Sequence, residues 1–116
     1  MKRGVIVLIE VPFAGDSGRK VRPALVVQSD FYNRTFSNMV VAVITGNTKR
    51  QHDPAHLLID PSKHSGTGLL GLSLVSCVNL HTVERTDIIK TLGKLPTSLT
   101  PDLDRCLQTA LGIPHS

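Results

Sequence analysis

Tryptophan is absent and aromatic residues are few: Phe13, Phe31, Tyr32 and Phe36 are the whole set. That scarcity argues against base stacking on an aromatic platform as the main mode of nucleic-acid binding. Cysteine is scarce as well. Cys77 and Cys106 lack CxxC spacing and any paired framework, so they read as small apolar core residues of a reduced protein. No apolar run approaches the roughly 20 residues that a membrane-spanning helix needs. Val5–Ile9 follows Lys2 and Arg3, as a secretion signal would, but it is too short and stops at Glu10. These absences predict a cytoplasmic protein with no membrane partner. Internal repeats, low-complexity tails and linkers are also missing, which predicts a single domain over residues 1–116.

What is present suits a folded, mildly basic domain. The hydrophobic share of 41% is ordinary, so the chain can build a core. Thirteen Lys and Arg against nine Asp and Glu give a formal charge of +4, which favours an anionic partner. The most informative stretch is Val21-Arg22-Pro23-Ala24-Leu25-Val26-Val27-Gln28-Ser29, directly behind Gly15-Asp16-Ser17-Gly18-Arg19-Lys20. Pro23 pushes Arg22 towards extended backbone, and Ala24–Val27 is apolar without alternation, as in a strand buried on both faces. A guanidinium held on such backbone suits a phosphate, because its planar fork can bind two oxygens at once.

Strands are predicted at Val5–Val11, Arg22–Ser29, Met39–Thr45, His56–Asp60, Ser73–His81 and Ile88–Leu95. Pro12–Val21 and Thr48–Pro54 read as loops, both basic, and Pro61–Gly71 as a mobile Gly/Ser-rich connection. Asp30–Asn38 reads as a turn or one helical turn. Near the end, Thr100 is the expected N-cap and Pro101 the first helical residue. Leu103, Cys106, Leu107, Ala110 and Leu111 form one apolar face, and Gly112 stops the helix. The fold class is therefore mainly β (α+β): a small bent sheet or barrel of antiparallel strands with a packed C-terminal helix.

The order of features resembles the MazF/PemK family of bacterial toxins. Arg3-Gly4 opens the first strand, and Arg-Pro-Ala-Leu-Val-Val-Gln-Ser-Asp follows at Arg22 to Asp30, with Asn33 behind it. Val43-Ile44-Thr45, Gly68-Leu69, Ser73, Thr82-Val83, Gly93-Lys94-Leu95 and Ala110-Leu111-Gly112-Ile113 complete the series. The resemblance implies a homodimer of SH3-like barrels that cuts single-stranded RNA without a metal or other cofactor, and that a cognate antitoxin blocks. Of the family's catalytic positions, the arginine falls on Arg22 and the threonine on Thr45. The chain departs from the family elsewhere. Asp16-Ser17 stands where a Ser-Glu or His-Glu pair is common. Ser76 and Val78 stand where some members carry a catalytic Arg–Asp pair, and Asn79 and His81 replace a frequent Gln and Arg.

Metal-free cleavage of RNA uses the substrate's 2′-hydroxyl as nucleophile and leaves a 2′,3′-cyclic phosphate and a 5′-hydroxyl. Arg22 would stabilise the added charge, and Thr45 would hydrogen-bond a phosphate oxygen. Ser17, Arg19, Lys20, Lys49, Arg50, Asn79 and His81 are the expected RNA contacts. The general base is open. His81 is a candidate because imidazole titrates near neutrality. His52, His56, His64 and His115 lack Cys or carboxylate neighbours at metal-ligand spacing, so no metal site is expected. The other class of function is a non-catalytic module: a gyrase-type inhibitor of this fold, or a degenerate toxin acting as an antitoxin-binding regulator.

Overall fold

A computed structural model describes residues 1–12 and 18–115. The expected RNA contact at Ser17 lies outside the described residues. Six strands form one antiparallel sheet: β1 (Val5–Pro12), β2 (Arg19–Val26), β3 (Asn38–Thr45), β4 (His56–Ile59), β5 (Ser73–Glu84) and β6 (Lys90–Lys94). Their order across the sheet is β4-β5-β3-β2-β1-β6. Helix α1 (Asp30–Thr35) joins β2 to β3, and helix α2 (Thr100–Leu111) closes the chain. No helix among the described residues is long and apolar enough to cross a membrane.

The non-alternating apolar runs produce a sheet buried on both faces. Ile6, Leu25, Ala42, Ile44 and Val75 point to one side, where Leu103 and Cys106 of α2 cover them. Val7, Ile9, Ala24, Val26, Val41 and Val43 point to the other and form a second cluster. The first cluster also takes in Leu57 and Ile59 of β4 and Leu95 just beyond β6. Those strands lie at opposite ends of the sheet order, so the sheet must curl to bring them together. The 60–72 connection bridges the two ends: Lys94 N–H donates to the Gly66 carbonyl at 2.9 Å, and Thr67 is buried. Arg3 ties the helices to the sheet. Its backbone N–H donates to Asp30 Oδ1 at 2.6 Å, and its guanidinium reaches the Val27 carbonyl and Asp104 of α2.

Several boundaries differ from the sequence reading. Arg19, Lys20 and Val21, expected in a loop, belong to β2 and pair with Pro12, Val11 and Glu10. Pairing with β1 extends the strand where side-chain character alone suggested a turn. β5 runs three residues past His81, because β3 pairs with it as far as Glu84. At α2, Leu99 holds the N-cap position without a side-chain cap, and Thr100 is already helical. The preceding turn, Thr97–Leu99, runs straight into the helix and leaves no extended residue for Thr100 to cap from. Leu111 is 57% exposed, because the helix face turns off the sheet in its last turn. Gly112 ends the helix at φ +71°, as expected.

The tightest backbone approach lies where the 60–72 connection meets β6. A Cβ on Gly93 would sit 2.3 Å from the Gly66 carbonyl oxygen, and one on Gly68 2.2 Å from that of Leu92. Both contacts are to backbone and cannot yield cheaply. Gly93→Ala is expected to cost ~1–3 kcal/mol of stability. Gly46→Ala, with no atom within 4 Å of its would-be Cβ, should stay within about 0.5 kcal/mol of the parent. Thermal or urea unfolding of the two variants checks the contrast.

Candidate active site

The β2–β3 ladder pairs Val26, Leu25 and Ala24 with Val41, Ala42 and Val43, and stops there. The next residue of β2 is Pro23, which has no N–H to donate to a ladder. Beyond it β2 is held by β1 alone, with Arg22 opposite Ile9. Projecting the β2–β3 register two residues onward sets Arg22 across from Thr45. The unpaired ends leave a cavity of about 420 Å³ lined by Lys20, Arg22, Thr45, Asn79 and His81.

A second distortion shapes the other wall. β3 pairs with β5 as Ala42↔Leu80 and then as Ile44↔Val75, so Val43 faces the whole segment from Ser76 to Asn79. This bulge takes Ser76 and Asn79 out of a regular ladder, as bulges beside functional sites often do. It opens a further cavity of about 380 Å³ lined by Thr45, Asn47, Lys49, Arg50, His56, Ser76 and Asn79. Val43, Thr45 and Asn79 line both cavities, which are therefore neighbours along one groove.

Within the groove, Arg22 is half-buried, and among the described residues its guanidinium has no hydrogen bond or ion pair. Its full set of donors is thus available to an anion. Thr45 Oγ1 accepts the Asn47 N–H at 3.1 Å, which leaves the hydroxyl proton free to donate outward. Asn47 Oδ1 in turn accepts the Lys49 N–H at 3.0 Å and fixes the turn that carries Lys49 and Arg50. His81 Nε2 lies 2.9 Å from Asn79 Oδ1. Arg19 differs from Arg22: its guanidinium is bound to the Glu10 carboxylate at 3.2 Å and to the Glu10 carbonyl. It lines a neighbouring cavity that shares His81.

The structure thus brings together Lys20, Arg22, Thr45, Lys49, Arg50, Asn79 and His81 from three strands and a loop. Val78 is exposed and lines neither cavity, whereas Ser76 lies inside the groove. Three groups in that wall escaped the sequence reading as a unit. His56 and Ser76 stand directly opposite one another on β4 and β5, with Ser76 Oγ 3.1 Å from His56 Nε2. On the other side of the ring, His56 Nδ1 lies 3.0 Å from Asp53 Oδ1. His56 therefore does have a carboxylate neighbour. The Asp53-x-x-His56 spacing was a visible signal, but the pairing with Ser76 was not.

The Asp53 carboxyl is held below its ordinary value of 3.8, chiefly by the Ala55 backbone N–H and next by the His56 ring. The fold thus favours the ionised form, and that contribution is present at neutral pH and lost as pH falls through the lowered value. Burial pushes the Cys77 thiol up to about 12 and raises that of Cys106, so both are inert at neutral pH.

The chain is similar to known proteins over nearly its whole length. Residues 2–111 match the family described as PemK-like, MazF-like toxin of type II toxin-antitoxin system. Endoribonuclease MazF6 of Mycobacterium tuberculosis is 33% identical over 103 residues, which cover 88% of each chain. Endoribonuclease EndoA of Bacillus subtilis is 26% identical over 114 residues, 97% of this chain and 96% of its own. Among solved structures, a mycobacterial endoribonuclease in complex with its cognate antitoxin superposes with a TM-score of 0.79 at 23% identity, covering 100% of this chain and 99% of its own.

Removing the Asp53 charge should destabilise the protein only where that charge exists. Asp53→Asn is expected to unfold more easily than the parent at neutral pH. The two should converge in acid, once the parent carboxylate is protonated, and urea midpoints measured across pH test this.

Proposed function

We propose that this chain, which belongs to the PemK-like, MazF-like family of type II toxin–antitoxin toxins, is an endoribonuclease that cuts single-stranded RNA within the groove between Arg22 and Thr45. The observation that carries the reading is the pairing, in one cavity, of an oriented threonine hydroxyl with an arginine whose guanidinium has no partner among the described residues. RNA cleavage needs the 2′-oxygen, phosphorus and leaving 5′-oxygen in line, and charge stabilised on the phosphoryl oxygens. Arg22 supplies the charge from rigid backbone. Thr45, whose oxygen is already occupied by the Asn47 amide, supplies a single directed donor. Lys20 and the exposed pair Lys49 and Arg50 contact flanking phosphates, while Asn79 and His81 stand where a base edge would pass. No step requires a metal or organic cofactor.

The wider setting follows from the family. The whole chain acts as one toxin domain, works as a homodimer in the cytoplasm, and is held inactive by a cognate antitoxin. Its unchecked activity removes messenger RNA and stops growth.

The test is incubation of purified protein with mixed-sequence single-stranded RNA in EDTA. Discrete cuts ending in 2′,3′-cyclic phosphate are expected, with none in RNA carrying a 2′-deoxy sugar at the cut site. Arg22→Ala should lose about 10²- to 10³-fold in rate while keeping its melting temperature. Failure of the parent to cut at high concentration would favour a protein-binding module of the gyrase-inhibitor type. Lys49→Ala should weaken RNA binding and reduce the slope of log affinity against log salt by about 0.7, the value for one phosphate contact to a single strand. A salt-independent loss would contradict that role.

A further inference from the structure

The nuclease reading leaves the 2′-hydroxyl without a proton acceptor. We propose that Asp53, His56 and Ser76 form a proton relay in which His56, acting through the Ser76 hydroxyl, is the general base of the cleavage. The inference rests on the nuclease reading and adds the base to it. An ionised Asp53 carboxylate can only accept, so the proton between it and His56 sits on Nδ1. The other ring nitrogen, Nε2, then carries a lone pair, and the Ser76 hydroxyl must donate to it. Ser76 Oγ is left with its own lone pairs, and Ser76 lines the cavity that also contains Thr45. His56 and Ser76 are each 8% exposed and paired across β4 and β5, so the geometry is held by the sheet rather than by loops. His81, the candidate base from sequence, has its Nε2 2.9 Å from an amide oxygen, and among the described residues no carboxylate is hydrogen-bonded to its ring.

The proton movements balance. The 2′-O–H bond breaks and its proton passes to Ser76 Oγ, while the proton of Ser76 passes to His56 Nε2. The 2′-oxygen bonds to phosphorus, the bond from phosphorus to the 5′-oxygen breaks, and water in the open groove protonates the leaving oxygen. Asp53 stabilises the imidazolium, which afterwards returns its proton to solvent through Ser76. Other charges face His56 from two sides. Lys49 and Arg50 line its cavity and oppose the imidazolium. On the far side, Asp102 and Arg105 of α2 are ion-paired to each other, and Cys106 stays neutral. His52 and His115 line that same far cavity.

Single-turnover cleavage of single-stranded RNA from about pH 5 to about pH 8 tests the relay, because imidazole changes charge across that range. The parent rate should rise along one titrating limb and level off. His56→Gln should lose the limb and about 10²- to 10⁴-fold in rate, with binding of a 2′-deoxy analogue unchanged. Ser76→Ala and Asp53→Asn should both be slow, and imidazole added to His56→Gly should restore cleavage. If His56→Gln does not fold, Ser76→Ala with its analogue-binding control carries the test. A His56→Gln or Ser76→Ala enzyme that keeps the parent rate and limb overturns the relay alone. Transfer of the effect to His81→Gln does the same and assigns the base there. A parent that cuts no RNA overturns the nuclease reading and the relay with it.

Discussion

The β2–β3 ladder cannot continue past Ala24 and Val43, and the groove that holds Arg22 and Thr45 is organised around that break. A proline inside a sheet is tolerated only where its missing N–H costs nothing. Pro23 meets that condition by sitting where β3 no longer pairs. The consequence is a strand that is central over its second half and an edge over its first. Arg22 therefore stands on backbone that β1 holds rigid, yet its side chain faces open space rather than a neighbouring strand.

The groove needs a second wall, and the bulge in β5 provides it. Three extra residues opposite Val43 bend the strand and bring Ser76 and Asn79 to the cavity. The bend is compatible with folding because the sheet is curled and anchored at several points. The connection after β4 bonds to β6, glycines at 68 and 93 permit that approach, and Arg3 fastens α1 and α2 to the sheet. Rigid surroundings hold Arg22 in place although, among the described residues, its guanidinium has no hydrogen bond or ion pair.

Charge is used in two ways across this surface. Arg3, Arg19 and Arg105 are each committed to a carboxylate, and Arg85 to backbone carbonyls, so their contribution to the +4 balance is largely structural. Arg22, together with Lys49 and Arg50 in the lining of the adjoining cavity, gathers positive charge along the groove. Net charge alone would not have identified it. On the reading proposed above, Arg22 and Thr45 hold the family's arginine and threonine positions, while Ser76 and Val78 stand where some members carry an arginine and an aspartate. A histidine–aspartate pair borders Ser76.

Much of this was legible in the order of residues. Unbroken apolar runs announced strands buried on both faces, Gly112 announced the end of α2, and the Arg-Pro strand with Thr45 announced the family. These signals are local, set by backbone sterics and by side-chain hydrophobicity over a few residues. Tertiary structure alone decided the rest. Arg19 and Arg22 look alike in sequence, and only strand register gives one a glutamate partner and leaves the other without one among the described residues. His56 and Ser76 are twenty residues apart and meet only because β4 and β5 pair in one register of several. Register is a property of two strands at once, fixed by the core they bury together, so neither strand's sequence contains it.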